Sequence, residues 1–211
     1  METGMSKQMI AHWERVYGSR PVDSMSWYQE HASLAMQLII GTGVDLHAPI
    51  IDIGGGASRL VDDLHTAGYA NLTVMDISAA ALQVAKGRLG PVIADTITWI
   101  EADITEVELP PDAYEVWHDR AVFHFLTSSQ ERQRYIKRMH DSVRRCGWVI
   151  IATFADDGPD RCSGLPVMRY SPHSLSAELG SSFVLKQHIR ESHTTPSGAV
   201  QQFVYCIFRK L

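Results

Sequence analysis

Short apolar runs and helix-length amphipathic segments alternate along this chain. Apolar residues spaced three and four positions apart predict helices, and uninterrupted apolar runs predict buried strands. The predicted strands cover residues 50–53, 72–75, 97–100, 114–117 and 148–154. The predicted helices cover residues 10–17, 34–39, 60–67, 81–89 and 129–145. Strands separated by helices indicate right-handed crossovers, and therefore a parallel sheet.

The C-terminal part of the chain breaks this alternation. Ser171 and Pro172 have the residue types of a helix N-cap and first helical position, and the short helix they begin ends at Gly180. Two β-rich runs follow at residues 183–192 and 200–209, with no room for a helix between them. We therefore expect an antiparallel β-hairpin at one edge of the parallel sheet.

Composition narrows the class of protein. The 211 residues are enough for one domain with a sizeable core, and the net charge of -5 excludes a basic domain bound mainly to nucleic-acid phosphates. No apolar run is long enough to span a membrane, and no secretory signal is expected at the N-terminus. The three cysteines are widely spaced and lack zinc-site spacing, so we expect reduced thiols, no metal and a cytoplasmic location.

A glycine run lies between the first strand and the following helix. Gly54, Gly55 and Gly56 would let the backbone approach a ligand closely, next to free N–H groups of a helix N-terminus. Asp76 ends the next strand, 20 residues after Gly56, where an acid typically accepts hydrogen bonds from ribose hydroxyls. The dinucleotide-binding motif Gly-x-Gly-x-x-Gly would require a third glycine where this chain has Arg59. The alternative to a ligand site is a tight strand–helix turn with an aspartate that caps a strand end.

The spacing Asp52-x-Gly54-x-Gly56-x-Ser58 resembles the glycine motif of class I S-adenosylmethionine (SAM) methyltransferases, with Ser58 in place of the last glycine. The segments 101–104 and 118–120 follow the third and fourth strands, where this family has further motifs. The resemblance runs from about residue 50 to 211. It implies an α/β Rossmann-like three-layer sandwich with a seven-stranded sheet, six strands parallel and one antiparallel. It also implies a helical lid segment at 1–46 and a SAM-binding domain at 47–211.

The same resemblance assigns a cofactor site for SAM and its product S-adenosyl-L-homocysteine (SAH). Gly54 and Gly56 would lie under the methionine part, and Asp76 would bind the ribose hydroxyls. Ile77 would pack on the adenine, and Asp103 would bind its amino group. The full set of cofactor candidates is Asp52, Gly54, Gly55, Gly56, Asp76, Ile77, Asp103, Ile104 and Asp119.

The acceptor side is predicted at the end of the fourth strand. A histidine there can take a proton from an acceptor near neutral pH, although a histidine can equally cap a helix or fill the core. The catalytic candidates are His118, Asp119 and His124. The substrate or lid candidates are Trp27, Tyr28, Arg120, Cys162, Arg169 and Tyr170. Trp13 and Tyr17 share one helical face, which favours a core position for both.

The predicted reaction is methyl transfer from SAM to a small molecule, because the aromatic N-terminal segment and the loop 155–170 could enclose the pocket. S-methylation of a thiol is favoured, since Trp13-Glu14 and Trp27-Tyr28 resemble segments of small thiol methyltransferases. Related enzymes with similar segments modify protein lysines, so a protein-lysine methyltransferase is the alternative. A noncatalytic SAM-binding module is the second alternative. We expect a monomer or homodimer.

Overall fold

The computed structural model describes residues 4–211, and its centre is a seven-stranded sheet in the order β3-β2-β1-β4-β5-β9-β8. The strands are β1 (Ile50–Ile53), β2 (Leu72–Asp76), β3 (Thr98–Glu101), β4 (Tyr114–Arg120), β5 (Val143–Phe154), β6 (Arg161–Cys162), β7 (Leu165–Pro166), β8 (Phe183–Thr194) and β9 (Val200–Lys210). Neighbours from β3 to β5 pair in parallel, and β9 pairs antiparallel with both β5 and β8. The predicted sheet and its terminal hairpin are confirmed.

Helices cover both faces of the sheet. They are α1 (Gly4–Ser19), α2 (Ser33–Gly41), α3 (Leu60–Thr66), α4 (Ala79–Leu89), α5 (Pro91–Ala94), α6 (Ser129–Ser142) and α7 (Pro172–Leu179). Single 3-10 turns lie at Val22–Ser24 and Phe123–Phe125. The predicted N-cap Ser171 is confirmed, because its side chain accepts a hydrogen bond from a backbone N–H in the first helical turn. The side chains of Ser78 and Ser128 cap α4 and α6 in the same way.

The predicted C-terminal end of the helix at residues 129–145 is wrong. The helix α6 ends at Ser142, and the next residue, Val143, is fully buried and pairs with Tyr114 as the first residue of β5. The Lys210 ammonium donates to the carbonyls of His140 and Val143, which satisfies backbone acceptors at the helix end. Burial of a β-branched side chain and this lysine cap therefore override the helical pattern that extends to Arg145.

The loop predicted at residues 155–170 contains a small hairpin. Strands β6 and β7 pair antiparallel, and the two residues between them, Ser163 and Gly164, both have positive φ angles of 49° and 78°. Two consecutive positive φ angles are typical of the tight turns that suit the twist of paired strands. This hairpin projects Cys162 towards the carboxyl ends of the central strands.

Two hydrophobic layers, one on each face of the sheet, make up the core. The four parallel strands β1 to β4 end at the same edge, where Ile53 lies level with Met75 on one side and Asp119 on the other. Ligand crevices of open α/β sheets form at this edge. Within residues 4–211, no helix combines the length and the apolar character that a membrane span needs.

Candidate active site

The glycine turn after β1 is packed too tightly for side chains. A Cβ atom added to Gly54 would collide with Val122, and one added to Gly56 would collide with the Asp76 carboxylate. Gly54 also has a φ angle of 66°, which glycine adopts without strain. The glycines therefore bring the backbone of this turn against the ends of β2 and β4, and Gly54 lies on the wall of a cavity there.

The cavity that Gly54 lines, called the main cavity below, has a volume of about 160 Å³. Five of the predicted cofactor residues lie on its wall, and they are Gly54, Asp76, Ile77, Asp103 and Ile104. A second cavity of about 50 Å³ adjoins it and is lined by two more of the predicted residues, Asp52 and Gly55, again with Gly54. Gly56 lies behind the wall, against Asp76.

Two aspartates of the main cavity are oriented by the backbone next to them. Asp76 is 6% exposed and accepts a hydrogen bond from the Ser78 N–H at 2.9 Å. Its burial raises the pKa of the carboxyl to about 7. Asp103 accepts from the N–H and the hydroxyl of Thr105, both at 2.8 Å and both through Oδ1. The Asp103 Oδ2 atom has no such bond to Thr105, so it is free to accept a hydrogen bond from a ligand amino group.

Helix α1 forms the roof of the main cavity. Trp13 packs edge-on against Phe125 and Trp27, with ring centroids 5.3 and 5.6 Å apart. Tyr17 lies 6.2 Å from the Trp27 ring, and burial raises the pKa of its phenol. Sequence periodicity favoured a core position for Trp13 and Tyr17, but both line the cavity together with Trp27. The periodicity could not distinguish packing on protein from packing around a cavity.

Polar contacts attach this roof to two neighbouring elements. The Glu14 carboxylate accepts from the Ser78 hydroxyl at 2.8 Å and from the Ala80 N–H at 3.2 Å, at the N-terminus of α4. His12 Nε2 lies 3.2 Å from the Ser163 hydroxyl in the β6–β7 turn. Helix α1 is therefore attached to the cofactor side of the sheet and to the hairpin that carries Cys162.

The three catalytic candidates at the end of β4 have different surroundings. His118 Nδ1 is 2.7 Å from Asp52 Oδ1, and its Nε2 is buried without a hydrogen-bond partner beside the second cavity. Asp119 is fully buried, and its two oxygens accept from the N–H groups of Val122 and Phe123 and from the Tyr135 hydroxyl. Asp119 lines neither cavity, and its contacts favour a structural role.

His124 lies in the core behind the cavity wall. It is fully buried, its ring contacts those of Phe125 and Phe154, and its Nδ1 accepts from the Phe154 N–H at 3.4 Å. Burial lowers the pKa of His124 to about 3, so its imidazole is neutral at physiological pH. These surroundings favour a packing role over proton transfer.

The substrate candidates divide into two groups. Trp27 and Arg120 line both cavities, Cys162 lines the main one and Tyr28 the second. Burial raises the pKa of the Cys162 thiol to about 12, so this sulfur is protonated and a poor nucleophile. Arg169 and Tyr170 line neither cavity.

Arg169 is exposed and donates to the Gly158 carbonyl, while Tyr170 is buried against Phe123. The cavity wall also includes Met9, Val122, Phe125 and Leu126, which the sequence analysis did not select. Their apolar character matches that of any core residue, so only the fold reveals them. Within residues 4–211 no group of three or more His, Cys, Asp or Glu side chains could hold a metal ion.

Comparison with known proteins finds a family model that matches part of the chain. A family model described as a methyltransferase domain matches residues 50–147. The mouse eEF1A lysine and N-terminal methyltransferase is 24% identical over 136 residues, which is 64% of this chain. The chain spans about 19% of that relative's length.

Two solved structures share the fold across nearly the whole chain. The Burkholderia thailandensis 1,6-didemethyltoxoflavin-N1-methyltransferase with bound SAH has a TM-score of 0.71 and 17% identity, covering 100% of this chain and 91% of its own. A structure described as the conversion of a disulfide bond into a thioacetal group during echinomycin biosynthesis has a TM-score of 0.70 and 17% identity. It covers 96% of this chain and 92% of its own.

Proposed function

We propose that this chain, whose residues 50–147 are a class I SAM-dependent methyltransferase domain, transfers the methyl group of SAM to the sulfur of a small thiol. The observation that carries the small-molecule assignment is the fixed aromatic roof of the main cavity. Trp13, Tyr17 and Trp27 cover the carboxyl ends of the strands, and Glu14 and His12 attach the roof to α4 and to the β6–β7 turn. A small acceptor fits under such a roof more readily than a protein surface does.

The residues on the cavity wall suit the cofactor. Asp76 would accept hydrogen bonds from the ribose hydroxyls, and the Oδ2 atom of Asp103 would accept from the adenine amino group. Ile77 would pack on the adenine, as the resemblance implies, and Ile104 lies on the same cavity wall. The close approach of the glycine turn to Val122 and Asp76 leaves backbone atoms, and not side chains, facing the methionine part. When bound, SAM supplies a methyl group on a positively charged sulfur.

The protein contributes mainly alignment and exclusion of water. A new carbon–sulfur bond to the acceptor forms while the bond between the methyl carbon and the cofactor sulfur breaks, and the thiol proton goes to water beforehand. A thiol with a pKa near 8.5 is partly ionised at neutral pH, so it needs little help from a base. The core position of His124 supports an acceptor of this kind, because that imidazole is buried and neutral.

A SAM-consumption screen tests the proposal. The purified protein is incubated with SAM and with small thiols, carboxylates, amines or lysine peptides, and SAH is measured. Turnover with thiols is expected. At saturating SAM and low acceptor, the rate should rise with pH and level off near the acceptor's own pKa. A fall in rate with rising pH would contradict an ionised-thiol acceptor, and no turnover with any class would favour a noncatalytic SAM-binding module.

A protein-lysine methyltransferase is the second candidate, because the eEF1A lysine and N-terminal methyltransferase of mouse matches 64% of this chain. In that case the roof would have to admit a lysine side chain from a folded protein. Rapid methylation of a lysine-bearing protein together with inert small thiols would favour this candidate over the first.

A further inference from the structure

We propose that Arg120 binds a carboxylate on the acceptor, so that the enzyme selects thiols that carry an acid group. This inference rests on the proposed thiol methylation. It concerns the guanidinium group at the end of β4, which lines both the main and the second cavity.

The Arg120 side chain is held in a fixed orientation. Its Nε donates to the Tyr205 hydroxyl at 2.9 Å, and its Nη1 donates to the Trp27 carbonyl at 3.2 Å. The guanidinium carbon lies 4.4 Å from the centre of the Phe203 ring, a cation–π contact. Only 11% of the side chain is exposed. The group is therefore preorganised, and a ligand would not have to pay for ordering it.

One nitrogen of this group remains unsatisfied. Nη2 of Arg120 is buried and has no hydrogen-bond partner. Glu191 offsets part of the charge, but its Oε2 is 3.7 Å from Nη2, too far for a hydrogen bond, and is also without a partner. Gln29 holds the other oxygen of Glu191 at 3.2 Å. A buried cationic N–H group without a hydrogen-bond acceptor destabilises the protein, and a carboxylate is the ligand that matches this donor best.

The guanidinium is held from the side of the sheet away from Asp76 and Asp103. Tyr205 and Phe203, which hold it, belong to β9, two strands from β4. Asp76 ends β2 and Asp103 follows β3 on the other side, whereas Gly54 shares both cavities with Arg120. We assign the anion to the acceptor, and the methionine carboxylate of the cofactor is the alternative that SAH affinity tests.

The test compares three thiols of matched length: 3-mercaptopropionate, 3-mercaptopropanol and 3-aminopropanethiol. We expect kcat/KM of the wild-type protein to favour the carboxylate over the alcohol roughly ten- to a hundredfold, and the ammonium to be poorest. Arg120→Met should abolish the preference, because it should raise KM for the carboxylate far more than KM for the alcohol. Glu191→Gln should lower KM for the carboxylate, because it removes a competing negative charge. Arg145→Met, at an exposed position, is the matched control and should leave the preference intact.

Folding of Arg120→Met is checked by denaturant unfolding, and Arg120→Lys provides a second variant that keeps the charge but not the fork of donors. An SAH affinity that falls in both variants would assign the guanidinium to the carboxylate of the cofactor and would overturn the proposal. Equal turnover of all three thiols, or a preference that survives both Arg120 variants, would overturn the role of Arg120 and leave the proposed function intact. If no thiol is methylated, the proposed function fails. Calorimetry of 3-mercaptopropionate and 3-mercaptopropanol with SAH-saturated protein then decides on Arg120 alone: Arg120-dependent preference for the acid supports the role, and equal or absent binding overturns it.

Discussion

Single buried polar residues shape the wall of the candidate site. Asp119 accepts three hydrogen bonds, from the N–H groups of Val122 and Phe123 and from the Tyr135 hydroxyl, and thereby fixes the turn that follows β4. Its burial raises the pKa of the carboxyl to about 6, because removal from water destabilises the charged form. Val122 and Phe125, which line the main cavity, depend on this turn for their positions.

Removal of the Asp119 side chain should destabilise the protein. In Asp119→Ala the three donors lose their acceptor inside the core, so we expect the free energy of unfolding to fall by about 3–5 kcal/mol. Asp119→Asn keeps one carbonyl oxygen and should lose less. Denaturant unfolding measures both, with Asp160→Ala at an exposed position as the control. A loss below 1 kcal/mol would contradict this role.

The buried imidazole of His124 makes stability depend on pH. Its pKa is about 3 in the folded protein and near 6.5 when unfolded, so between these values the unfolded state binds the additional proton. This group therefore lowers stability as pH falls from about 6.5 towards 3, by up to about 1.4 kcal/mol for each pH unit. In unfolding curves between pH 6.5 and 4, His124→Gln should show a shallower dependence than the wild type, whereas exposed His188→Gln should not. Equal slopes for His124→Gln and the wild type would exclude a buried neutral imidazole.

The Asp76 carboxylate should control affinity for the cofactor. Asp76→Ala should lose one or two hydrogen bonds to the ribose, together worth about 1.5–3 kcal/mol, so SAH affinity should fall roughly ten- to a hundredfold. Glu101→Ala is the matched control, because Glu101 lies level with Asp76 on the neighbouring strand β3 but is exposed. Calorimetry that finds unchanged affinity in Asp76→Ala would remove Asp76 from the cofactor site.

At the scale of elements, helix α1 and the β6–β7 hairpin meet above the cavity. The helix supplies Trp13 and Tyr17 to the wall, and the hairpin supplies Cys162. Their attachment is polar and local: Glu14 reaches the first turn of α4, and His12 reaches Ser163. A carboxylate at a helix N-terminus is stabilised by the free N–H groups and by the helix dipole.

Loss of the Glu14 contact should let α1 open more often. Because a capping contact is worth about 1–2 kcal/mol, Glu14→Ala should accelerate protease cleavage within residues 7–28 by roughly five- to thirtyfold. SAH with acceptor should slow the cleavage in the wild type. Exposed Glu30→Ala serves as the control. Cleavage that is unaffected by Glu14→Ala and by ligand would mean that other contacts hold the segment in place.

In the proposed function, different parts of the sheet hold the methyl donor and the acceptor. Loops after β1, β2 and β3 carry the predicted cofactor residues, while β4 and β9 position Arg120 on the opposite side. The methyl group would be passed between these sides, at the end of β4. Because the site spans most of the sheet, ligand binding should stabilise the entire domain.

Thermal unfolding measures that stabilisation. At a SAH concentration of about one hundred times Kd, linkage gives about 2.7 kcal/mol of added stability. For a chain of this length each kcal/mol raises Tm by about 2–4 °C, so we expect a rise of roughly 5–10 °C. NAD at the same concentration should produce no comparable shift, since Arg59 replaces the third glycine of a dinucleotide motif. Equal shifts with both ligands would contradict the SAM assignment.

The sequence by itself determined the order of the elements and selected the candidate residues for the cofactor side of the site. Hydrophobic periodicity and capping residues such as Ser78 and Ser128 act locally, so they specify helices and strands without knowledge of distant contacts. The glycine run and Asp76 could be selected from the sequence because a backbone that approaches a ligand has few alternatives to glycine.

Only the tertiary structure decided which of the residues predicted for the acceptor side face a cavity. His124 and His118 are six residues apart and chemically alike, yet one is enclosed by Phe125 and Phe154 and the other faces a cavity. Likewise, nothing local indicates that Trp13 lines a cavity while Tyr170 is buried elsewhere. Burial, and the pKa that follows from it, arise from residues far apart in the chain. Arg120 gains its orientation from Trp27, Phe203 and Tyr205, which meet only because β9 inserts beside β5.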